Sequence, residues 1–505
     1  MSITTLLDLA ADVFGDRVAM GPRAAAPGAT RFTYAELRTA AQTAAARLTA
    51  GDETTPTLAY LAGNGAAAPV ALFAAAYAGT TYAPLNHRLP ADALGALIER
   101  VLPACAVVHA DDTAVALAAK AHPVENAEAW LGACREGSAT AFEGAATDEP
   151  PVPAVLLFTS GTSAAPKAIR LRHDNLLAYI LGTVDFASAG EDEALLLAVP
   201  PFHIAGVSAV LSSLYAGRRI VPLPAFSAKA WLAAVRDEGI THAFVVPTML
   251  ARIVEAVRAD PGLAVPGLRH LAYGGARMPL PVLEQALELF PETGFVNAYG
   301  LTETSSTIAV LGPDDHRSAR AGDAEARERL SSVGRPVPGV ELRIVGETGQ
   351  DVAVGERGEL RLRGAQIAGG TGGAALDPEG WFVTGDQASL DAAGYLYVHG
   401  RGDDTIIRGG ENIGPSEIED ALLRHPDVAA ACVVGLPDTE WGERIAAAVV
   451  ASDGSDPDTG EIAEWLRGRI GSLKTPQDIR VVAALPMTPT GKVVRRQVRA
   501  DLAGA

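Results

Sequence analysis

The chain reads as an α/β protein with three parts: a large N-terminal domain of mixed and parallel sheets with helices, a small antiparallel subdomain, and a small C-terminal α+β domain. Three patterns lead there. Apolar β-rich runs alternate with helical stretches from TLAYLAG to PVLEQALELF, as parallel strands with helical crossovers require. After about Gly334 the pattern turns to strand pairs and glycine turns (GVELRIVG, GERGELRLRG, WFVTGD, GYLYVHGR), which suits an antiparallel sheet. From Asp404 helix and strand alternate again to the end of the chain, a length typical of a small domain. The expected division is therefore 1–400, with the antiparallel subdomain at about 334–400, and 404–505.

The elements follow in order. MSITTLLDLAADVF has no basic leader and is interrupted by Asp8 and Asp12, so it reads as an ordinary first helix rather than a secretory signal. Thr54 to Asn86 carries no formal charge but is broken by Pro56, Gly63, Gly65, Pro69, Gly79 and Pro84. A membrane span needs about 20 continuous apolar residues, so this stretch predicts a buried strand and a buried helix. ACAVVHA, AVLLFT with NLLAYIL, EALLLAVP, THAFVVP with MLARIVEAV, and LRHLAYGG with PVLEQALELF continue the alternation. At the C-terminal end, EIEDALLRH, VAAACVVG, RIAAAVVAS, EIAEWLRGRI and DIRVVAAL complete a compact α+β unit.

Composition narrows the class. With 505 residues, 48% of them hydrophobic, the chain can bury more than one core. Lys plus Arg total 41 against 60 for Asp plus Glu, a net charge of −19. That charge repels phosphate backbones and anionic membrane surfaces, so nucleic-acid and membrane partners are disfavoured. Cys105, Cys134 and Cys432 are far apart and lack metal-ligand spacing, which argues against a disulfide framework or a structural zinc and for a cytoplasmic, reducing setting.

One loop carries a chemical signal by itself. Thr159-Ser160-Gly161-Thr162-Ser163-Ala164-Ala165-Pro166-Lys167 follows an apolar strand and offers four hydroxyls, successive N–H groups and an ammonium. Such donors suit a polyphosphate. It is not a Walker loop, because Gly161 and Lys167 are six apart and Ala168 follows the lysine. A polar strand-to-helix turn is the alternative.

Read with the distant segments, the loop falls into a larger order. TSGTSAAPK, PPFHIAG (200–206), YGGA (273–276), NAYGLTET (297–304), GWFVTGD (380–386), GRGDDTIIRGGENIGPSEIE (400–419), WGER (441–444) and PMTPTGKVVRR (486–496) succeed one another along the chain. This order resembles the adenylate-forming superfamily of acyl- and aryl-CoA synthetases, adenylation domains and firefly luciferase. It is most similar to the acyl- and aryl-CoA synthetases, and the likeness covers nearly the whole chain.

The resemblance implies an AMP-forming acid–thiol ligase that uses ATP, Mg2+ and coenzyme A. Thr159, Ser160, Gly161, Thr162, Ser163 and Lys167 would hold the outer phosphates. Gly275, Ala276, Asn297 and Ala298 would line the base, with Tyr299 stacked on adenine. Thr302 would meet the α-phosphate, and Glu303 the magnesium, as a hard oxygen ligand should. Asp386 and Arg401 would hold the ribose. Lys492 would bridge the carboxylate and the α-phosphate as pyrophosphate leaves. Residues 401–403 would form a hinge with Asp403 as pivot, making the C-terminal domain mobile. Arg408, Gly409, Gly410 and Asn412 would face the thiol acceptor.

The same likeness implies a substrate pocket from Phe202, His203, Gly206, Val246, Gly274, Ala298 and Thr304, small or apolar apart from the histidine. His203 would order the carboxylate or gate the thiol, with a satisfied core histidine as the alternative. The stretch from Pro200 to Gly206 lacks the aspartate that pairs an α-amino group, so an uncharged, apolar and bulky-tolerant carboxylic acid is expected. Arg277 reads as an exposed arginine. Ala164 and Ala168 stand where relatives carry glycine, and Ile407 where many carry lysine. An acyl carrier protein therefore remains the alternative acceptor, and a non-catalytic acyl-nucleotide binder the alternative of another class. A monomer or a homodimer fits equally.

Overall fold

The computed structural model describes residues 1–24, 29–50, 56–109, 115–116, 119–137, 152–159, 166–369, 376–404, 406–408, 411–439, 441–452, 454–488 and 492–504, with Asp403 and Asn412 described by backbone alone. Ser160, Gly161, Thr162, Ser163, Gly409 and Gly410 lie outside the described residues.

Among the described residues the strands form four sheets. Helix Thr4–Phe14 opens the chain. The motif FTYAELR starts helix Tyr34–Leu48: the Thr33 hydroxyl accepts from Glu36 N–H while the Glu36 carboxylate accepts from Thr33 N–H, a reciprocal capping box. The uncharged stretch becomes strand Thr57–Leu61 and helix Ala67–Tyr77, in which every residue from Ala67 to Ala76 is buried. Its alanines leave no polar face, as a helix enclosed on all sides requires. It packs on helix Tyr34–Leu48 in the largest core cluster.

The larger sheet is parallel through Arg219–Pro222, Ala194–Leu197, His242–Val245, His270–Gly274 and Gly294–Leu301, then antiparallel through Ser306–Leu311. A second sheet carries Ala104–Val108, Thr57–Leu61, Tyr82–Pro84 and Val155–Thr159 in parallel. Glu341–Val345, Gly358–Arg363, Phe382–Leu390 and Leu396–Arg401 make the antiparallel sheet. The C-terminal sheet joins Ile406–Arg408, Glu411–Ile413, Val428–Asp438, Gly442–Ala451 and Asp478–Val481, covered by helices Pro415–Leu422 and Thr459–Lys474.

One element departs from the sequence reading. The segment after the Ser/Thr loop is a strand, Lys167–Leu171, and Thr159 pairs with Lys167 in an antiparallel hairpin. The loop thus joins strand to strand before helix His173–Thr183 begins. KAIRL is too short to stand out, but Arg170 is exposed between buried Ile169 and Leu171, the period-two alternation of an edge strand.

Candidate functional site

The C-terminal ends of the parallel strands lie along one edge of the sheet, outside which open α/β sheets bind ligands. Gly274 and Ala298 are register partners there. A Cβ on Gly274 would lie 2.2 Å from the Ala298 carbonyl oxygen, so only glycine admits this approach. Val246 lies beside them: a Cβ on Gly275 would stand 3.6 Å from its Cγ1.

Asp386 and Arg401 are cross-strand partners in the antiparallel sheet. Asp386 is 5% exposed. Arg401 Nε lies 3.0 Å from its Oδ1, and the Tyr299 hydroxyl donates to its Oδ2. Arg401 also donates to the Thr384 carbonyl at 2.6 Å. Burial pushes the Asp386 carboxyl above its ordinary value, opposed by Arg401 and by the Tyr299 hydrogen bond. Three residues predicted to hold one nucleoside are thus brought into one network.

Thr302–Thr304 forms a single 3-10 turn at the end of strand Gly294–Leu301. The Glu303 carboxylate lies 3.8 Å from Lys167 Nζ. No group of three or more metal-ligating side chains exists among the described residues. A lone carboxylate beside the Lys167 ammonium would suit a magnesium ion held mainly by phosphate and water oxygens.

Lys492 arrives from the C-terminal part. Thr488 N–H donates to the Lys492 carbonyl at 2.7 Å and Lys492 N–H donates to the Thr488 hydroxyl at 3.0 Å, tying the two residues together. By surface area Lys492 is solvent-exposed, although protein atoms crowd its ammonium. Burial, then the Arg401 charge, lowers its ammonium pKa, and Asp386 opposes them. Its field also reaches His203, which burial, Lys492 and Arg88 hold down to about 4. His203 is therefore a neutral imidazole at neutral pH. Its buried Nε2 has no hydrogen-bond partner, and its ring centroid lies 4.8 Å from that of Phe202. An apolar recess of about 20 Å³, lined by Tyr82, Leu197, Pro201, Gly206 and Val210 among others, adjoins this corner.

Some expected residues stand otherwise. The Thr304 hydroxyl is fully buried and engaged with the Leu301 and Ser306 carbonyls, so it shapes its own turn rather than the pocket wall. Asn297 Nδ2 donates to the Ser332 carbonyl at 3.2 Å. Arg408 is 7% exposed and donates to the Leu473 carbonyl at 2.5 Å, with its guanidinium 5.1 Å from the Trp441 ring centroid. Its neighbour Ile407 is 55% exposed; alternation along a strand puts them on opposite faces. Asp403 lies in the 3-10 turn Gly402–Asp404, and Asn412 pairs with Ile407.

Three features were not read from the sequence. Arg277 forms an ion pair with Asp420 of the C-terminal part. Arg495, just past Lys492, is tied to Glu419 at 2.6 Å and to the Val433 carbonyl at 2.5 Å. His87 in PLNHRLP stands 6.3 Å, ring to ring, from Phe202. The basic run VVRRQVR hid Arg495 among solvent-facing neighbours.

Similarity to known proteins agrees with this geometry. The model of the AMP-binding enzyme family matches residues 7–370, and that of the AMP-binding enzyme C-terminal domain matches 417–492. A feruloyl-CoA synthase of an Amycolatopsis species is 35% identical, with 96% of this chain and 97% of that protein covered. A fatty acid–[acyl-carrier-protein] ligase, ScoC of Streptomyces coeruleorubidus, is 31% identical over 85% of this chain and 83% of that protein. The o-succinylbenzoate coenzyme A synthetase of Bacillus subtilis in complex with ATP and a magnesium ion superposes with a TM-score of 0.81 at 27% identity, covering 97% of this chain and 98% of that one. The chain belongs to the AMP-binding enzyme family.

Proposed function

We propose that this chain, an AMP-forming acid–thiol ligase, activates an uncharged, apolar and bulky carboxylic acid, of the aryl class, with ATP and passes the acyl group to coenzyme A. The observation that carries the reading is the position of Lys492: a cation from the C-terminal part lies within the field of both His203 and Asp386. The aryl class is supported by the likeness to feruloyl-CoA synthase.

In the first half-reaction a carboxylate oxygen bonds to the α-phosphorus while the bond from that phosphorus to pyrophosphate breaks. Tyr299, Asp386 and Arg401 fix the nucleoside, Thr159 to Lys167 the outer phosphates, and Thr302 the α-phosphate. Magnesium, when bound at Glu303, neutralises phosphate charge. Lys492 stabilises the charge that builds on the reacting oxygens, and neutral His203 with Phe202 orders the acid without adding a second cation. In the second half-reaction the thiol sulfur bonds to the acyl carbon, AMP leaves with the electron pair, and the thiol proton passes to solvent. Residues 401–403 serve as the hinge between domains 1–400 and 404–505, with Asp403 as pivot. The acceptor face comprises Ile407, Gly409, Gly410 and Asn412, with Arg408 as its internal brace. The three cysteines are buried and unpaired, in keeping with a cytoplasmic enzyme, monomeric or homodimeric.

A panel of benzoates, cinnamates, arylacetates and fatty acids, followed by pyrophosphate release and then by thioester formation with free coenzyme A, tests the reading. Aryl acids are expected to turn over with saturable coenzyme A. Adenylation without thioester, together with acylation of a carrier protein, moves the acceptor to the carrier, as the likeness to ScoC would favour.

A further inference from the structure

The turn that bears Thr302 and Glu303 is held in an unfavourable shape. Ser305 and Ser306 follow at φ of 57° and 134°, conformations that non-glycine residues seldom adopt and that need support from their surroundings. The Ser305 side chain is fully buried, and its hydroxyl has no partner among the described residues. A buried, unsatisfied hydroxyl adds to the cost.

One side chain spans the strained pair. Gln366 is 3% exposed, and its Nε2 donates to the Thr304 carbonyl and to the Thr307 carbonyl, each at 2.9 Å. The same short loop donates from Ala368 N–H to the carbonyl of Glu303 at 2.8 Å. The loop is anchored from behind: buried Asn175 donates from Nδ2 to the carbonyls of Ala365 at 2.9 Å and Ile367 at 3.3 Å. Asn175 begins the helix that follows strand Lys167–Leu171. The path from Lys167 through Asn175, the 365–368 loop and Glu303 therefore returns to Lys167, 3.8 Å from the Glu303 carboxylate.

We infer that Gln366 is a positioning residue for the magnesium–nucleotide complex: its two hydrogen bonds hold the strained Ser305–Ser306 turn and so aim Glu303 toward Lys167 and the phosphates. This rests on the reading of Glu303 as the magnesium ligand. Without the carboxamide, the buried Thr304 carbonyl and the half-buried Thr307 carbonyl lose this donor and the turn relaxes toward ordinary φ, carrying Glu303 with it.

The test is calorimetric binding of ATP with and without Mg2+, beside thermal melting. In Gln366→Met the metal-dependent gain in ATP affinity should fall about tenfold, while metal-free affinity stays within about twofold, because only the metal ligand is re-aimed. Gln366→Glu keeps the volume and supplies a pH readout should the methionine variant fail to fold. Its protonated acid can donate one hydrogen bond, whereas its carboxylate faces two carbonyls. The metal-dependent gain should then decline from pH 6 to pH 9, about tenfold more than in the wild type. A metal-dependent gain equal to wild type in a folded Gln366→Met, or a wild-type pH response in Gln366→Glu, overturns the inference. Glu303→Gln separates the two readings: if it leaves the gain unchanged, the assignment of Glu303 fails; if it removes the gain while the Gln366 variants do not, only the role of Gln366 fails.

Discussion

Arg277 and Asp420 form an ion pair between the YGGA segment of the large domain and helix Pro415–Leu422 of the small one. Both side chains are partly screened, and burial pushes the Asp420 carboxyl up while Arg277 opposes it. On the proposed reading the pair belongs to the arrangement that sets Lys492 near His203 and Asp386, so it would bias the domains toward adenylation. A partly exposed pair contributes up to about 1 kcal/mol, or roughly fivefold in a two-state balance. Arg277→Ala should slow adenylation by up to that factor and leave thioester formation from supplied acyl-adenylate as fast or faster. The exchange Arg277→Asp with Asp420→Arg should restore the wild-type ratio. Equal slowing of both half-reactions in single-turnover measurements would contradict a conformational role.

Lys492→Ala should lower adenylation by about 100-fold or more, since the lost charge acts as pyrophosphate departs. Thioester formation from presupplied acyl-adenylate should survive. The loop is held by Arg495, paired with Glu419 and Asp404, so Arg495→Ala should reproduce part of the defect with the lysine intact. Rapid-quench assays of each half-reaction decide this.

Asp403 sits in a 3-10 turn directly after strand Leu396–Arg401. Proline fixes φ near −65°, which such a turn accepts. Asp403→Pro should therefore keep adenylation and suppress thioester formation. Unchanged overall turnover removes Asp403 as the pivot.

Motifs were legible where chemistry confines residues to short contiguous runs. GWFVTGD and GRGDD announced Asp386 and Arg401, and strand register then explained why they meet. Helix Ala67–Tyr77 was legible because a long uncharged run broken by proline and glycine has few other uses. What escaped were relationships between single polar residues far apart in sequence. Arg277 with Asp420 and Gln366 with the Thr304 carbonyl have no local pattern, since a lone arginine or glutamine is usually a surface residue. Arg408 was misplaced for a related reason: strand alternation decides which of Ile407 and Arg408 turns outward, and a three-residue strand does not reveal its inner face.

One buried and three half-buried imidazoles predict acid sensitivity. Burial lowers His203, His316 and His399 to about 4 and His242 to about 3. In the unfolded chain they titrate near 6.5. Each therefore stabilises the fold fully above about pH 6.5 and loses that contribution as pH falls toward the folded value. Unfolding at pH 5 should take up about four protons from these groups, and melting temperature should fall steadily from pH 6.5 to 4.5. Uptake near zero, measured by calorimetry in buffers of different ionisation enthalpy, would place these rings in solvent.

The acceptor face gives the last prediction. Arg408 is inside, spent on the Leu473 carbonyl and the Trp441 ring, while Ile407 projects outward and its N–H donates to Glu443 Oε2 at 2.8 Å. Removing the arginine takes the donor from the half-buried Leu473 carbonyl and the cation from the Trp441 ring, so Arg408→Ala should lower the melting temperature of the small domain by about 4–8 °C. The KM for coenzyme A should change no more than the KM for ATP. Ile407→Lys instead adds an exposed cation where phosphates of coenzyme A would approach, and should lower the KM for coenzyme A alone. A selective rise in that KM for Arg408→Ala, with melting unchanged, means that the guanidinium leaves Trp441 when the domains rearrange and pairs with the acceptor. If neither variant alters use of coenzyme A because no thioester forms at any concentration, while a carrier protein is acylated, the exposed Ile407 face serves a carrier instead.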